Sequence, residues 1–157
     1  MTKFSALASN VAVAPQIGDA DFSTIAALGF KSVLNLRPDD EAGEFLKSGD
    51  AGRVAEAFGL DYRYMPVHCH CITDDEQVEG FAEAIAELPG PVFAYCKSGT
   101  RAAILWALSI AGSRPTEEIV RVAAVGGYDI SLALDDIEER AGETAGLISS
   151  CESHIAA

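Results

Sequence analysis

The stretch Val92-Phe93-Ala94-Tyr95-Cys96 is a short apolar run of buried-strand type. Lys97-Ser98-Gly99-Thr100 makes a turn directly after it, and Arg101 opens a second apolar run, AAILWAL, with helical character. A strand buried on both faces needs layers of structure on each side, and a turn this tight feeds straight into a helix. This segment alone points to strand-turn-helix units around a largely parallel sheet.

The rest of the chain repeats that alternation. Residues 4–14 alternate loosely around Ser9-Asn10 and predict a short edge hairpin. Asp19 or Asp21 caps a helix ending at Leu28, with Gly29 as its stop. Strands follow over Lys31–Leu36 and Asp61–Val67, separated by Arg37-Pro38-Asp39-Asp40 and by a helical piece over Arg53–Phe58. Thr73-Asp74-Asp75-Glu76 has the pattern of a capping box, opening a helix with Val78, Phe81, Ile85 and Leu88 at helical spacing. After Pro89-Gly90-Pro91 and the strand Val92–Tyr95, only helices remain, near 101–111, 116–125 and 130–140. The expected architecture is an α/β fold of four or five strands, mostly parallel, flanked by helices, with a helical C-terminal part. Residues 1–140 are expected to form one catalytic domain and 141–157, small and polar without firm periodicity, a flexible tail.

Ligands of such sheets bind beyond the carboxyl ends of the strands. Arg37, His68–Cys71 and Cys96–Arg101 all fall there. Among them Cys96 is the candidate nucleophile. The turn amides of Lys97, Ser98, Gly99 and Thr100 and the following helix N-terminus make an anion cradle. An ordinary thiol, with a pKa near ~8.5, is about 3% thiolate at neutral pH. Amide hydrogen bonds and a cation are needed to raise that fraction, and Arg101 and Lys97 are the candidate cations. Arg101 is also a planar fork of donors suited to phosphate, sulfate or thiosulfate.

Composition narrows the partners. Eleven basic residues against 24 acidic ones leave a formal charge of −13, which repels nucleic acid and anionic lipid. No run is apolar enough for a membrane span or a signal peptide, so a cytoplasmic protein is expected. Four cysteines, Cys69, Cys71, Cys96 and Cys151, are too few and too irregular for a disulfide framework. Trp106 is expected in the core, and Cys151 and His154 as bystanders in the tail. No cofactor is implied.

YCKSGTRAA, with GFKSVLNLRPDDE upstream and SRPTEEIVRVAAVGGYD downstream, resembles the beta-lactamase hydrolase-like, phosphatase-like family over roughly residues 4–140. That family has a dual-specificity-phosphatase-like fold and is also described as a sulfur transferase family. The resemblance implies a covalent role for Cys96, an anion cradle over 96–101 and substrate binding by Arg101. Three features differ from tyrosine-type phosphatases. Four residues rather than five separate Cys96 from Arg101, as in rhodanese sulfurtransferases. Ala102 follows the arginine where those phosphatases carry a serine or threonine, with Thr100 as a substitute. Cys69 falls where their acid would be, leaving Asp74 and Asp75 as replacements.

An ester with a poor leaving group forfeits about 10²–10⁴ in rate without an acid, whereas sulfite or a thiolate leaves unprotonated. The sequence therefore favours sulfane-sulfur transfer through a Cys96 persulfide. The expected partners are a small anionic donor such as thiosulfate or a persulfide, a thiol acceptor and, beside them, a sulfide-oxidising enzyme. A phosphatase forming a Cys96 phosphoenzyme is the alternative, and a persulfide or anion carrier or sensor without turnover is the second. His68-Cys69-His70-Cys71 admits three readings: loop packing, redox exchange of Cys69 or Cys71 with Cys96, or metal binding. Four consecutive residues do not easily wrap one ion, so no metal is assigned. Arg37 either adds charge at the site edge or braces its loop against Glu41 or Glu44.

Overall fold

The computed structural model describes residues 2–156, with side chains described through residue 146. Five strands of four residues each form one sheet: β1 (Ser5–Ala8), β2 (Val11–Ala14), β3 (Ser32–Asn35), β4 (Asp61–Tyr64) and β5 (Val92–Tyr95). Their order is β1-β2-β5-β3-β4. The β1–β2 hairpin is antiparallel and every other pairing is parallel. The fold is thus the expected α/β architecture. The hairpin is present, but only β1 is an edge, because β2 pairs with β5 over its whole length.

Side-chain alternation along β5 divides the core. Phe93 and Tyr95 join Phe22, Ile25, Val33, Ala51 and Ala55 on the face covered by α1 (Asp21–Ala27) and α2 (Ser48–Ala57). Val92, Ala94 and Cys96 join the larger cluster on the other face. That face is covered by α3 (Asp75–Glu87), α4 (Thr100–Ser109), α5 (Thr116–Val125) and α6 (Leu134–Ala156). A helix apolar all round must be surrounded by protein. α4 shows this: residues 101–108 are all buried, Trp106 included, and α3, α5 and α6 pack around it.

Three expectations need correction. α2 begins at Ser48, five residues before Arg53, because Asp39 supplies its cap from a distance. The Asp39 Oδ1 accepts the Ser48 N–H at 2.9 Å and its Oδ2 the Ser48 hydroxyl at 2.5 Å. The capping box does not form: Asp74 is the N-cap of α3 and makes no side-chain cap hydrogen bond. The last helix does not stop at 140 but runs to Ala156. Its middle is fixed by Thr144, whose Oγ1 donates to Ala111 O at 3.3 Å and lies against Gly112, where a Cβ would come within 2.7 Å of the Thr144 Cβ. The side chains of Cys151 and His154 lie outside the described residues. Among the described residues no helix is long and apolar enough to cross a membrane.

Candidate active site at the end of the central strand

The parallel ladder runs past the last residue of β5, with Cys96 N–H donating to Ala14 O at 3.3 Å. Cys96 therefore emerges from the middle of the sheet, fully buried, where β2 and β3 flank it. The chain then reverses. Gly99 has φ +94 and is the N-cap of α4, a conformation that favours glycine. That turn aims the Gly99 N–H at the Cys96 Sγ, 3.2 Å away. The sulfur thus sits at the head of α4, where an amide donor and the positive end of the helix both face it. Ser98 donates its hydroxyl to Thr100 Oγ1 at 3.1 Å, so these two side chains brace each other across the turn. Lys97 contributes its carbonyl, which accepts the Gln16 N–H at 3.1 Å, while its side chain is exposed.

Arg101 is only 5% exposed. Its Nη1 donates to Glu41 Oε2 at 2.8 Å and to Val67 O at 2.7 Å, and its Nη2 donates to Glu41 Oε1 at 3.2 Å. These bonds use three of the five guanidinium N–H groups. The remaining two, on Nε and Nη2, lie side by side and have no protein acceptor among the described residues. They form a parallel pair of the kind that binds an oxyanion through two hydrogen bonds. Burial opposes the charge on Arg101, but the Glu41 hydrogen bonds and the negative charge of Cys96 and Cys69 hold its pKa above the ordinary value.

The sequence offers Glu41 only as a brace for Arg37, and its larger role comes from a contact distant in the chain. It does brace Arg37, whose Nε donates to Glu41 Oε1 at 3.2 Å. Arg37 is 5% exposed, also donates to Gln16 and Ala42, and lies over the Phe45 ring, so it shapes the loop from within. The same carboxylate orients Arg101. Burial opposes its ionisation, but Arg101 and then Arg37 outweigh this and hold it below the usual carboxylate range. The three acids of NLRPDDE thus have separate tasks: Asp39 caps α2, Asp40 meets His68, and Glu41 grips both arginines.

Tyr128 is the other residue the sequence did not disclose. It lies against Gly99, where a Cβ would come within 2.7 Å of its ring. Burial, and then the charge of Cys96, push its hydroxyl pKa up. A Gly-Gly-Tyr turn gives no local sign of this, since the contact spans 29 residues.

The segment His68–Cys71 is less committed. Residues Cys69–Cys71 form a 3₁₀ turn rather than an extended run, with the His68 and His70 rings 5.8 Å apart. Cys69 and Cys71 are free thiols. Burial and the Asp74 carboxylate push the Cys71 thiol up, which disfavours its thiolate. Among the described residues no group of three or more His, Cys, Asp or Glu side chains is arranged to hold a metal ion. As for the two candidate acids, Asp74 faces Cys71, and Asp75 points outward and accepts Arg140 Nη1 at 2.6 Å. Neither has a contact with Cys96 or Arg101.

Comparison with known proteins shows the family and the fold. A relative from Agrobacterium fabrum, the beta-lactamase hydrolase-like protein, is 37% identical over 123 residues, covering 77% of this chain and 28% of the relative. One from Xylella fastidiosa is 34% identical over 136 residues, covering 85% and 31%. The chain thus spans less than a third of the length of these curated relatives. Among solved structures, a candidate phosphatase from Neisseria meningitidis superposes with a TM-score of 0.80 at 29% identity, covering 87% of this chain and 96% of that one. PTPMT1 superposes with a TM-score of 0.71 at 11% identity, covering 94% and 99%, a likeness of fold alone. The family model for the phosphatase-like domain of beta-lactamase hydrolase-like proteins matches residues 3–113, from the hairpin through the whole of α4, and the chain belongs to that family.

Proposed function

We propose that this domain is a cysteine-dependent phosphatase in which Cys96 attacks a phosphate ester and forms a phosphocysteine. The observation that carries this reading is the pairing of a buried thiol at the head of α4 with an arginine held by Glu41 at one edge and open at the other. The open edge of Arg101 would take two phosphate oxygens, and the turn amides would take the charge that develops on the rest of the group. The phosphatase-like family and the fold neighbours support phosphorus as the reacting centre. Binding geometry contributes most here, because the reaction needs an in-line approach more than it needs protein covalent chemistry beyond one nucleophile.

A second reading, sulfane-sulfur transfer, is favoured by two observations. Only four residues separate Cys96 from Arg101, and neither Asp74 nor Asp75 faces the thiol. A persulfide on Cys96 would pass its outer sulfur from thiosulfate or another persulfide to a thiol acceptor, in chemistry linked to sulfide oxidation.

Aryl phosphate hydrolysis and thiosulfate:cyanide transfer, measured side by side with Cys96→Ser as control, separate the two. Phosphate release lost in the variant supports the phosphatase. Sulfur transfer without phosphate release overturns it in favour of the second reading. A stoichiometric Cys96 adduct with neither turnover overturns both and leaves a carrier or sensor.

A further inference from the structure

We propose that His68, oriented by Asp40, is the proton donor to the leaving group and then the proton acceptor from water in the reaction at Cys96. The inference rests on the phosphatase reading and supplies what that reading lacks. An alcohol leaving phosphorus needs a proton, and the carboxylates near the site are engaged elsewhere. Glu41 is held ionised between two arginines. Asp74 faces Cys71, and Asp75 is paired with Arg140.

His68 stands on the loop after β4, immediately after the carbonyl that Arg101 grips at 2.7 Å. The chain neighbours Asp40 and Glu41 meet it in the same order. Glu41 holds the guanidinium that is bonded to Val67, and Asp40 holds His68. The imidazole is thus tied one residue away from the arginine clamp. Both Asp40 oxygens face one ring nitrogen, Nε2, at 3.2 and 3.4 Å, which leaves Nδ1 for another partner. His68 is 46% exposed, open to an incoming ester and to water. Imidazole is the most common proton-transfer group in catalysis, and a carboxylate behind one nitrogen fixes which nitrogen acts. Asp40 is the charged group facing the ring, and His70 is the other titratable ring beside it.

In the first step the Cys96 thiolate forms an S–P bond as the P–O bond to the alcohol breaks, and the Nδ1 proton passes to the departing oxygen. In the second step water attacks phosphorus and gives one proton to the neutral imidazole. The S–P bond breaks, releasing inorganic phosphate and restoring both the thiolate and the imidazolium.

The test compares the whole chain with His68→Gln and Asp40→Asn on p-nitrophenyl phosphate, whose phenolate leaves unaided, and on an alkyl phosphate, whose alkoxide does not. In His68→Gln the release of alcohol in the first turnover is expected to fall about 10²-fold or more on the alkyl ester, while first-turnover release of p-nitrophenolate, which needs no proton donor, falls far less. The second step, common to both esters, slows on both. Asp40→Asn shows the same pattern with a smaller loss. An equal first-turnover loss on both esters would mean that His68 only braces the loop, and an undiminished first-turnover alkyl rate would mean that it donates no proton; either overturns the proposal and leaves the phosphatase reading standing. Wild-type protein that hydrolyses neither ester overturns that reading and this inference together.

Discussion

The two loops that meet at Arg101 are built on opposite lines. The 96–101 turn leaves the centre of the sheet, has Cys96 and Arg101 buried, and is tied into the scaffold through Gln16, Glu41 and Val67. The 67–74 loop begins with a buried residue, Val67, and then opens into an exposed 3₁₀ turn whose side chains make few contacts with the core. The first is fixed by the fold itself, since the strand ladder positions Cys96 and the head of α4 positions the amides. The second is held where it starts, by Val67 N–H on Leu36 O and Val67 O on Arg101, and beyond that by His68 on Asp40 and by Ile72 against the core. On the proposed reading, anion binding belongs to the scaffold, whereas proton transfer belongs to a loop the scaffold only partly restrains.

Four substitutions sharpen that contrast, in decreasing order of effect. Arg101→Lys removes the planar fork and is expected to lower kcat/KM for an aryl phosphate about 10²–10³-fold, with the melting temperature reporting the loss of the Glu41 contacts. A change confined to KM would mean that Arg101 binds without stabilising the transition state. Gly99→Ala places a methyl group against the Tyr128 ring at a backbone angle that disfavours it, and should cost about 1–3 kcal/mol in denaturant unfolding. Full stability in that variant would show that the turn is less tightly set than the structure indicates.

Glu41→Gln keeps the shape but removes the charge that pairs with both arginines, and should cost about 1–3 kcal/mol at neutral pH. Its pH dependence has a definite sign. A carboxylate held below its ordinary pKa contributes stability above the unfolded value, near ~4.3, and loses it as pH falls through the lower folded value. Wild type should therefore lose part of its advantage over Glu41→Gln below about pH 4.3, and parallel curves would contradict this assignment. The smallest effect is expected from Asp75→Asn. Its bond to Arg140 lies at the surface, with Asp75 81% exposed, so stability should change by about 0.2–1 kcal/mol and turnover not at all. A large loss of turnover would return Asp75 to the site as an acid.

What the sequence disclosed and what it hid follow the same division. The cysteine, the glycine turn and the arginine were legible because strand, turn and helix are contiguous and their chemistry is local. The role of Glu41 was not, since its contact with Arg101 spans 60 residues and the sequence shows only a neighbouring basic residue for it. Asp39 hid the start of α2 for the same reason: the cap lies nine residues upstream of the helix it caps. Thr73–Glu76 misled in the other direction, as a good local pattern that the tertiary fold does not use. The glycines at 142 and 146 lowered the local preference for helix, and α6 continues through them because Thr144 is seated on Gly112. Loop length and the missing acid favour sulfur over phosphorus in the sequence. Those observations stand, but the family and the neighbours in fold support phosphorus better.

The central claim is that Cys96 carries the reacting group, and it is tested most directly by trapping that group. The chain is mixed with an aryl phosphate, quenched in acid within one turnover, digested and read by mass spectrometry. The account predicts one phosphoryl group on the peptide bearing Cys96, absent in Cys96→Ser. Phosphate release that continues with no adduct at Cys96, or that survives Cys96→Ser, would contradict it.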